Sequence, residues 1–213
     1  MRYLVTLSYD GAAFCGWQIQ PNAKTVQESL EKSLSTLLKT DISVVGAGRT
    51  DSKVNAIGYV AHFDCETPFD TSAIGYKLNA ILPAGIVVHS LAACDGELHA
   101  RFSATKREYT YFLHRKKDPF AERFSYECRH ALDIDAMNEA AALLLGRHDF
   151  SCFEKTGADN KTSICTVKEA FWAPYSPTHA SLMGFPDKVG DEPAYLYFRI
   201  SADRFLRNMV RAV

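Results

Sequence analysis

Residues Arg2 to Asp10 alternate in polarity, with Tyr3, Val5 and Leu7 on one side, and a period of two admits a strand with one buried face but no helix. Thr25-Val26-Gln27-Glu28 then fits a capping box, in which the threonine hydroxyl and the glutamate carboxylate satisfy the free backbone donors that open a helix. Val26, Leu30, Leu34, Leu37 and Leu38 place one apolar stripe along that helix. Strands are expected over 42–45, 55–64 and 85–92, with a second helix over 71–81 stopped by Pro83. The order begins again after residue 104. Lys106 to Arg115 alternates, with Tyr109, Tyr111 and Leu113 on one side. Asp133 caps a helix expected to run to Leu145, ended by Gly146 and buried along Met137, Ala140, Ala141, Leu144 and Leu145. Strands over 163–172 and 194–201 follow, and a helix begins within 203–213. The proline- and glycine-bearing stretch 176–192 is expected to be an exposed insertion or hairpin loop of low order.

Strand–helix–strand–strand–helix–strand in each half is the split βαβ arrangement. The expected fold class is therefore α+β: two ferredoxin- or RRM-like halves, residues 1–104 and 105–213, joined into one mainly antiparallel sheet with helices on one face. The other face is left open to a ligand. RNA-recognition domains share this layout, but a layout alone does not define a function.

Composition narrows the class. Of 213 residues, 47% are hydrophobic and 23% charged, which suits a folded globular chain and argues against disorder. No apolar run is long enough to span a bilayer, and the first ten residues read as a strand rather than a signal peptide, so a cytoplasmic protein without a membrane partner is expected. The six cysteines form no CxxC pair and no zinc spacing with histidine, which favours reduced thiols. A net charge of −1 is unusual for a binder of nucleic acid, although basic residues cluster locally at Arg101, Lys106 and Arg107, at Arg115 to Lys117, and at Arg204, Arg207 and Arg211.

The stretch richest in chemistry is Gly46-Ala47-Gly48-Arg49-Thr50-Asp51-Ser52. Two glycines allow a tight backbone path, and a carboxylate beside an arginine stays ionised and can serve as nucleophile or base. By spacing alone, Asp51 is equally well a loop cap or one half of a surface ion pair. The stretch resembles the GxGRTD catalytic loop of the TruA-type tRNA pseudouridine synthases. Four further segments agree with that family in order: Tyr9-Asp10-Gly11 with Gly16-Trp17-Gln18 and Gln20; Thr25-Val26-Gln27; Ala100-Arg101-Phe102-Ser103-Ala104 with Arg107, Tyr109 and Tyr111; and Phe205-Leu206 with Met209-Val210-Arg211.

The resemblance implies roles residue by residue. Asp51 is the catalytic carboxylate and Arg211 pairs with it, where helical position alone makes Arg211 a surface residue. Tyr109 stacks on a flipped-out uracil, where alternation alone makes it a packed sheet residue. Arg49 meets the phosphate or ribose of that nucleotide, or else braces its loop, and Arg101 and Arg107 contact phosphates. It also implies a tRNA substrate modified on the 3′ side of the anticodon stem-loop, a homodimer, and no cofactor, in keeping with the lack of a nucleotide-binding fingerprint. Competing assignments are an RNA-binding module of the same fold without catalysis, and a glycosidase, which needs a second acid such as Asp10 or Asp64 near Asp51.

Two departures stand out. Where the family usually continues Ala-Gly-Val-His after the aspartate, this chain has Ser52-Lys53-Val54-Asn55. Lysine in place of glycine makes any positive φ at residue 53 costly, and Asn55 keeps a donor and an acceptor but cannot ionise. Family members also continue beyond the last segment with a helix and a strand, so an end at Val213 is expected to leave apolar surface uncovered.

Overall fold

In the computed structural model, which describes residues 1–157 and 162–213, strand β1 (Arg2–Tyr9) buries Tyr3, Val5, Leu7 and Tyr9 on one face. Helix α1 (Val26–Leu38) lays Val26, Leu30 and Leu34 into the same core, with Leu37 and Leu38 packed at its edge. The Thr25 hydroxyl caps α1 by accepting from the Glu28 amide at 3.3 Å. The return half of the expected capping box is replaced: the Glu28 carboxylate accepts from Lys32 one turn on, at 2.7 Å. The open amides of the first turn go elsewhere, Val26 donating to the Gly16 carbonyl and Gln27 to that of Trp17.

The chain divides into two compact units, Met1–Ala104 and Thr105–Val213. In the first, β1 lies between β3 (Ala56–Asp64) and β4 (Ile86–Cys94), and β2 (Val44–Gly46) borders β3, giving the order β2-β3-β1-β4 with every neighbouring pair antiparallel. This is the strand order of a split βαβ unit, with α1 and α2 (Thr71–Ile81) as its crossovers. Asp70 caps α2 by accepting from the Ser72 and Ala73 amides. The registers of β1 slip near its C-terminal end, between Leu7 and Tyr9 against β3 and between Thr6 and Leu7 against β4. Such irregularities re-aim a chain, here into the loop at Asp10.

The second unit contains β5 (Arg107–His114), β6 (Tyr126–Glu127), α3 (Ile134–Ala142), β7 (Gly146–Asp149), β8 (Ile164–Pro174), α4 (Thr178–Met183), β9 (Lys188–Val189), β10 (Glu192–Pro193), β11 (Tyr195–Ala202) and α5 (Met209–Ala212). Its main sheet runs β6-β5-β11-β8-β7. The fold is thus α+β with mainly antiparallel pairing, but this unit departs from the split order, in which β5 would lie between β8 and β11. Here β11 takes the central place and pairs antiparallel with both. Antiparallel neighbours need no crossover over the sheet, and the six-residue α4 is too short to make one.

Two local expectations are corrected. Helix α3 ends at Ala142, because Leu143, Leu144 and Leu145 close the last turn with tighter bonds to the residues three before them. Of the face expected to be buried, Ala140 and Leu145 are exposed while Ala141 is buried. The stretch 176–192 is the exposed insertion expected, with a hairpin in it, but it is more regular than expected: it holds α4 and the β9–β10 ribbon. Its anchor is Asp118, a buried carboxylate that accepts from the Tyr195 hydroxyl at 2.6 Å, His179 Nε2 of α4 at 2.7 Å and the Phe120 amide at 2.9 Å.

Burial alone would raise the Asp118 carboxyl, but these donors outweigh it and hold it down from 3.8 to about 2. A carboxyl that is more acidic folded than unfolded stabilises fully above its unfolded value, and that stabilisation is lost as pH falls through the folded value. Asp118→Ala is expected to lower stability by roughly 2–3 kcal/mol in denaturant unfolding, since buried donors lose their acceptor. Asp118→Asn is expected to flatten the loss of stability between pH 4 and pH 2.

Candidate active site

The segment 46–55 leaves β2, turns and enters β3, and its path is set by backbone contacts with the loop that follows β1. The Trp17 amide donates to the Thr50 carbonyl at 3.1 Å, and the Lys53 amide to the Phe14 carbonyl at 3.4 Å. The Ser52 hydroxyl donates to that same Phe14 carbonyl, and the Gly11 amide donates to Asn55 Oδ1 at 2.7 Å. Approach this close leaves no room for side chains. A Cβ on Gly11 would collide with the Val54 carbonyl, and one on Gly16, whose φ is +83°, would lie 2.5 Å from the Thr50 carbonyl. The glycines of the first motif therefore act as contact surfaces for the third.

Aromatic rings support the segment from beneath. Trp17 and Tyr59 lie 4.3 Å apart between centroids, and Tyr9 meets Tyr59 edge-on at 5.7 Å. The Tyr9 hydroxyl shares a 2.8 Å hydrogen bond with Thr50 Oγ1. The Tyr59 hydroxyl donates to the Gly48 carbonyl and accepts from the Gly48 amide at 3.2 Å. Gln27 adds a strut from α1, accepting from the Ile19 amide and donating to the Val44 carbonyl. Sequence reasoning assigned no role to Tyr59, whose only signal was an aromatic in the strand after the loop.

Within this frame Asp51 is exposed and opens a turn, its carbonyl accepting from the Val54 amide at 3.2 Å. Arg49 is exposed two residues earlier. The positive φ expected to strain residue 53 is present, at +67°. Asn55, the other departure from the family pattern, supplies the acceptor that ties the Gly11 loop down. Arg101 is exposed on a turn of the same unit, with its guanidinium 5.7 Å from the Phe102 ring centroid. That turn is pinned by the neighbouring Ala100 amide, which donates to the buried His62 Nδ1 at 3.1 Å. Burial first, and then Arg2 and His99, push the His62 imidazole below its usual range, keeping it the neutral acceptor this bond needs.

The second unit gathers the remaining candidates around β5. Tyr109 is partly buried, pairs with Ile200 of β11 and packs edge-on against Phe205 at 5.2 Å. Phe205, Leu206, Met209 and Val210 join the same apolar cluster, which seats the short α5 and its exposed Arg211. The fourth and fifth motifs are thus brought together. Arg107 donates from Nη1 to the Asp203 carbonyl at 2.8 Å, a bond that ties β5 to the exit from β11. Asp203 in turn accepts from the Thr166 and Arg204 amides, fixing the exit from β11.

Comparisons with known proteins agree over the whole length. A family model described as tRNA pseudouridine synthase matches residues 6–103 and 140–213. The chain is 44% identical over 212 residues to tRNA pseudouridine synthase A of Bacteroides thetaiotaomicron, a match that covers 100% of this chain and 74% of the relative. It is 44% identical to the protein of that name in Parabacteroides distasonis, over 100% of this chain and 78% of the relative. For the Bacillus subtilis protein the identity is 39%, over 100% of this chain and 81% of the relative.

The glycines separate two kinds of tightness. Gly11→Ala should displace Val54 and destabilise the first unit by about 1–3 kcal/mol. Gly48→Ala, where an added Cβ meets nothing within 4 Å, should stay within about 0.5 kcal/mol of the parent. Denaturant unfolding of the two variants beside the parent checks this, and equal stabilities would contradict it.

Proposed function

The chain belongs to the tRNA pseudouridine synthase family, and from that premise we propose that Asp51 carries out the isomerisation of uridine to pseudouridine on the 3′ side of the tRNA anticodon stem-loop. The target nucleotide leaves its stack, because its glycosidic bond is out of reach inside a helix. Asp51 acts as the essential carboxylate, the N1–C1′ bond breaks, the uracil turns within the site, and C5 bonds to C1′. The proton lost from C5 is balanced by one gained at N1, so substrate and product have the same atoms and no outside electrons are needed. In this scheme Tyr109 stacks on the uracil and Arg211 orients and keeps charged the carboxylate of Asp51. Arg49, Arg101 and Arg107 hold the phosphates and ribose around the target.

The observation that carries this proposal is the support given to Asp51. Backbone and side-chain hydrogen bonds, with two close glycine contacts, hold the segment 46–55, yet Asp51 itself is exposed. A carboxylate fixed in place before substrate arrives needs little reorganisation in the reaction. A surface ion pair would need no such frame.

We assign the chain a homodimeric state and work in the cytoplasm. A dimer doubles whatever basic face one chain offers, which suits a net charge of −1. Among the described residues, no helix is long and apolar enough to cross a membrane.

The test is to incubate the protein with an unmodified tRNA transcript, map pseudouridine, and repeat with Asp51→Asn. The parent should form product in the anticodon stem-loop. The variant should still bind tRNA but form none. Undiminished product from the variant would remove Asp51 from the chemistry, and free uracil in place of pseudouridine would make the protein a glycosidase.

A further inference from the structure

Among the described residues, four other than glycine have positive φ: Asn22, Lys39, Lys53 and Asn208. Asparagine enters this region readily. Lys39 follows α1, where a left-handed residue closes a helix and a cation favours its C-terminal end. Lys53 ends no helix. It occupies the third position of the Asp51–Val54 turn, a place where positive φ calls for glycine or asparagine. Its conformation cannot relax, because its amide is bound to the Phe14 carbonyl and the Val54 carbonyl lies against Gly11.

The side chain returns nothing to the fold. Lys53 is exposed, and among the described residues its ammonium has no hydrogen bond or ion pair. A strained lysine whose side chain makes no such contact among the described residues points to a role in binding. Its position suggests which. Asp51 alone would repel the polyanionic backbone of RNA, but exposed Arg49 lies two residues before it and Lys53 two residues after. With a cation on either side, the loop carries a net positive charge over residues 49–53.

We propose that Lys53 binds an RNA phosphate beside the target nucleotide, and that its strained backbone is retained for that contact. This rests on the assignment of Asp51 as the catalytic carboxylate of a tRNA-modifying enzyme. Lysine acts here as a mobile point charge on a phosphodiester rather than a bidentate clamp.

The test measures tRNA binding against salt, turnover and thermal stability for the parent, Lys53→Gln, Lys53→Gly and Lys53→Arg. Gln removes the charge and keeps the strain, Gly removes both, and Arg keeps both. We expect Gln and Gly to weaken binding of an unmodified tRNA transcript by about 3–10-fold at low salt. The slope of log K against log salt should become shallower by about 0.7–0.9, the signature of one lost phosphate contact. KM should rise with kcat little changed, and Arg should match the parent. Gly alone should raise Tm, by about 2–4 °C. Parental affinity and salt slope in the Gln variant, with pseudouridine still formed, would overturn the proposal and leave the enzyme assignment standing. A parent that forms no pseudouridine but loses affinity on Lys53→Gln would overturn the assignment and leave Lys53 as an RNA contact. A parent that does neither would sink both.

Discussion

The first unit depends on two loops approaching so closely that one of them can carry no side chain at the points of contact. Gly11 lies against Val54 and Gly16 against Thr50, with backbone bonds on either side. Hydrogen bonds between main-chain groups are short and directional, so a loop held this way has little freedom in where it presents its side chains. The apolar core beneath serves the same end. Tyr9 and Trp17 are nearly buried, and with Tyr59 they form a platform whose hydroxyls reach up to Thr50 and Gly48. The core thus fixes the ends of the loop and its floor, while Asp51 remains at the surface.

Much of the secondary structure was legible because it rests on local signals. Helix α2 runs over the expected residues because Asp70 caps one end and Pro83 blocks the other. Strand β1 alternates in burial as its sequence alternates in polarity. What escaped was non-local. The central place of β11 in the second sheet depends on which strands meet, and hydrophobic period says nothing of that. The ordered stretch 176–192 hangs on a carboxylate about sixty residues earlier in the chain, which glycine and proline content could not reveal. Even the capping box was only half visible, since Glu28 found a nearer cation in Lys32.

The sequence offered candidate residues for the site and nothing of what supports them. Motifs singled out Asp51 and its neighbours for the proposed site, but gave no reason why Tyr-Asp-Gly and Gly-Trp-Gln should accompany a loop about forty residues away. The contacts supply the reason: these segments are the surface on which that loop lies. Asn55 was noted as a group unable to ionise, and its use follows from that property. As an acceptor for the Gly11 amide it works at any pH, whereas a histidine there would lose its lone pair on protonation. Buried His62 meets a similar demand differently, its low proton affinity keeping it an acceptor for the Ala100 amide.

The two units divide strain and stability in a physically consistent way. Asp118 gathers three donors in a buried setting, and one of them, His179, ties α4 of the insertion 176–192 to it. Around Asp51 the balance is reversed. Lys53 holds an unfavourable φ, exposed charges crowd one turn, and hydrogen bonds, glycine contacts and the aromatic floor keep the segment in place. Strain of this kind persists only where neighbouring structure over-determines the backbone. The rigidity of the Gly11 and Gly16 contacts is therefore the condition that lets a lysine stand where glycine would be easier. The same rigidity that fixes the backbone at Asp51 fixes it at Lys53, two residues on.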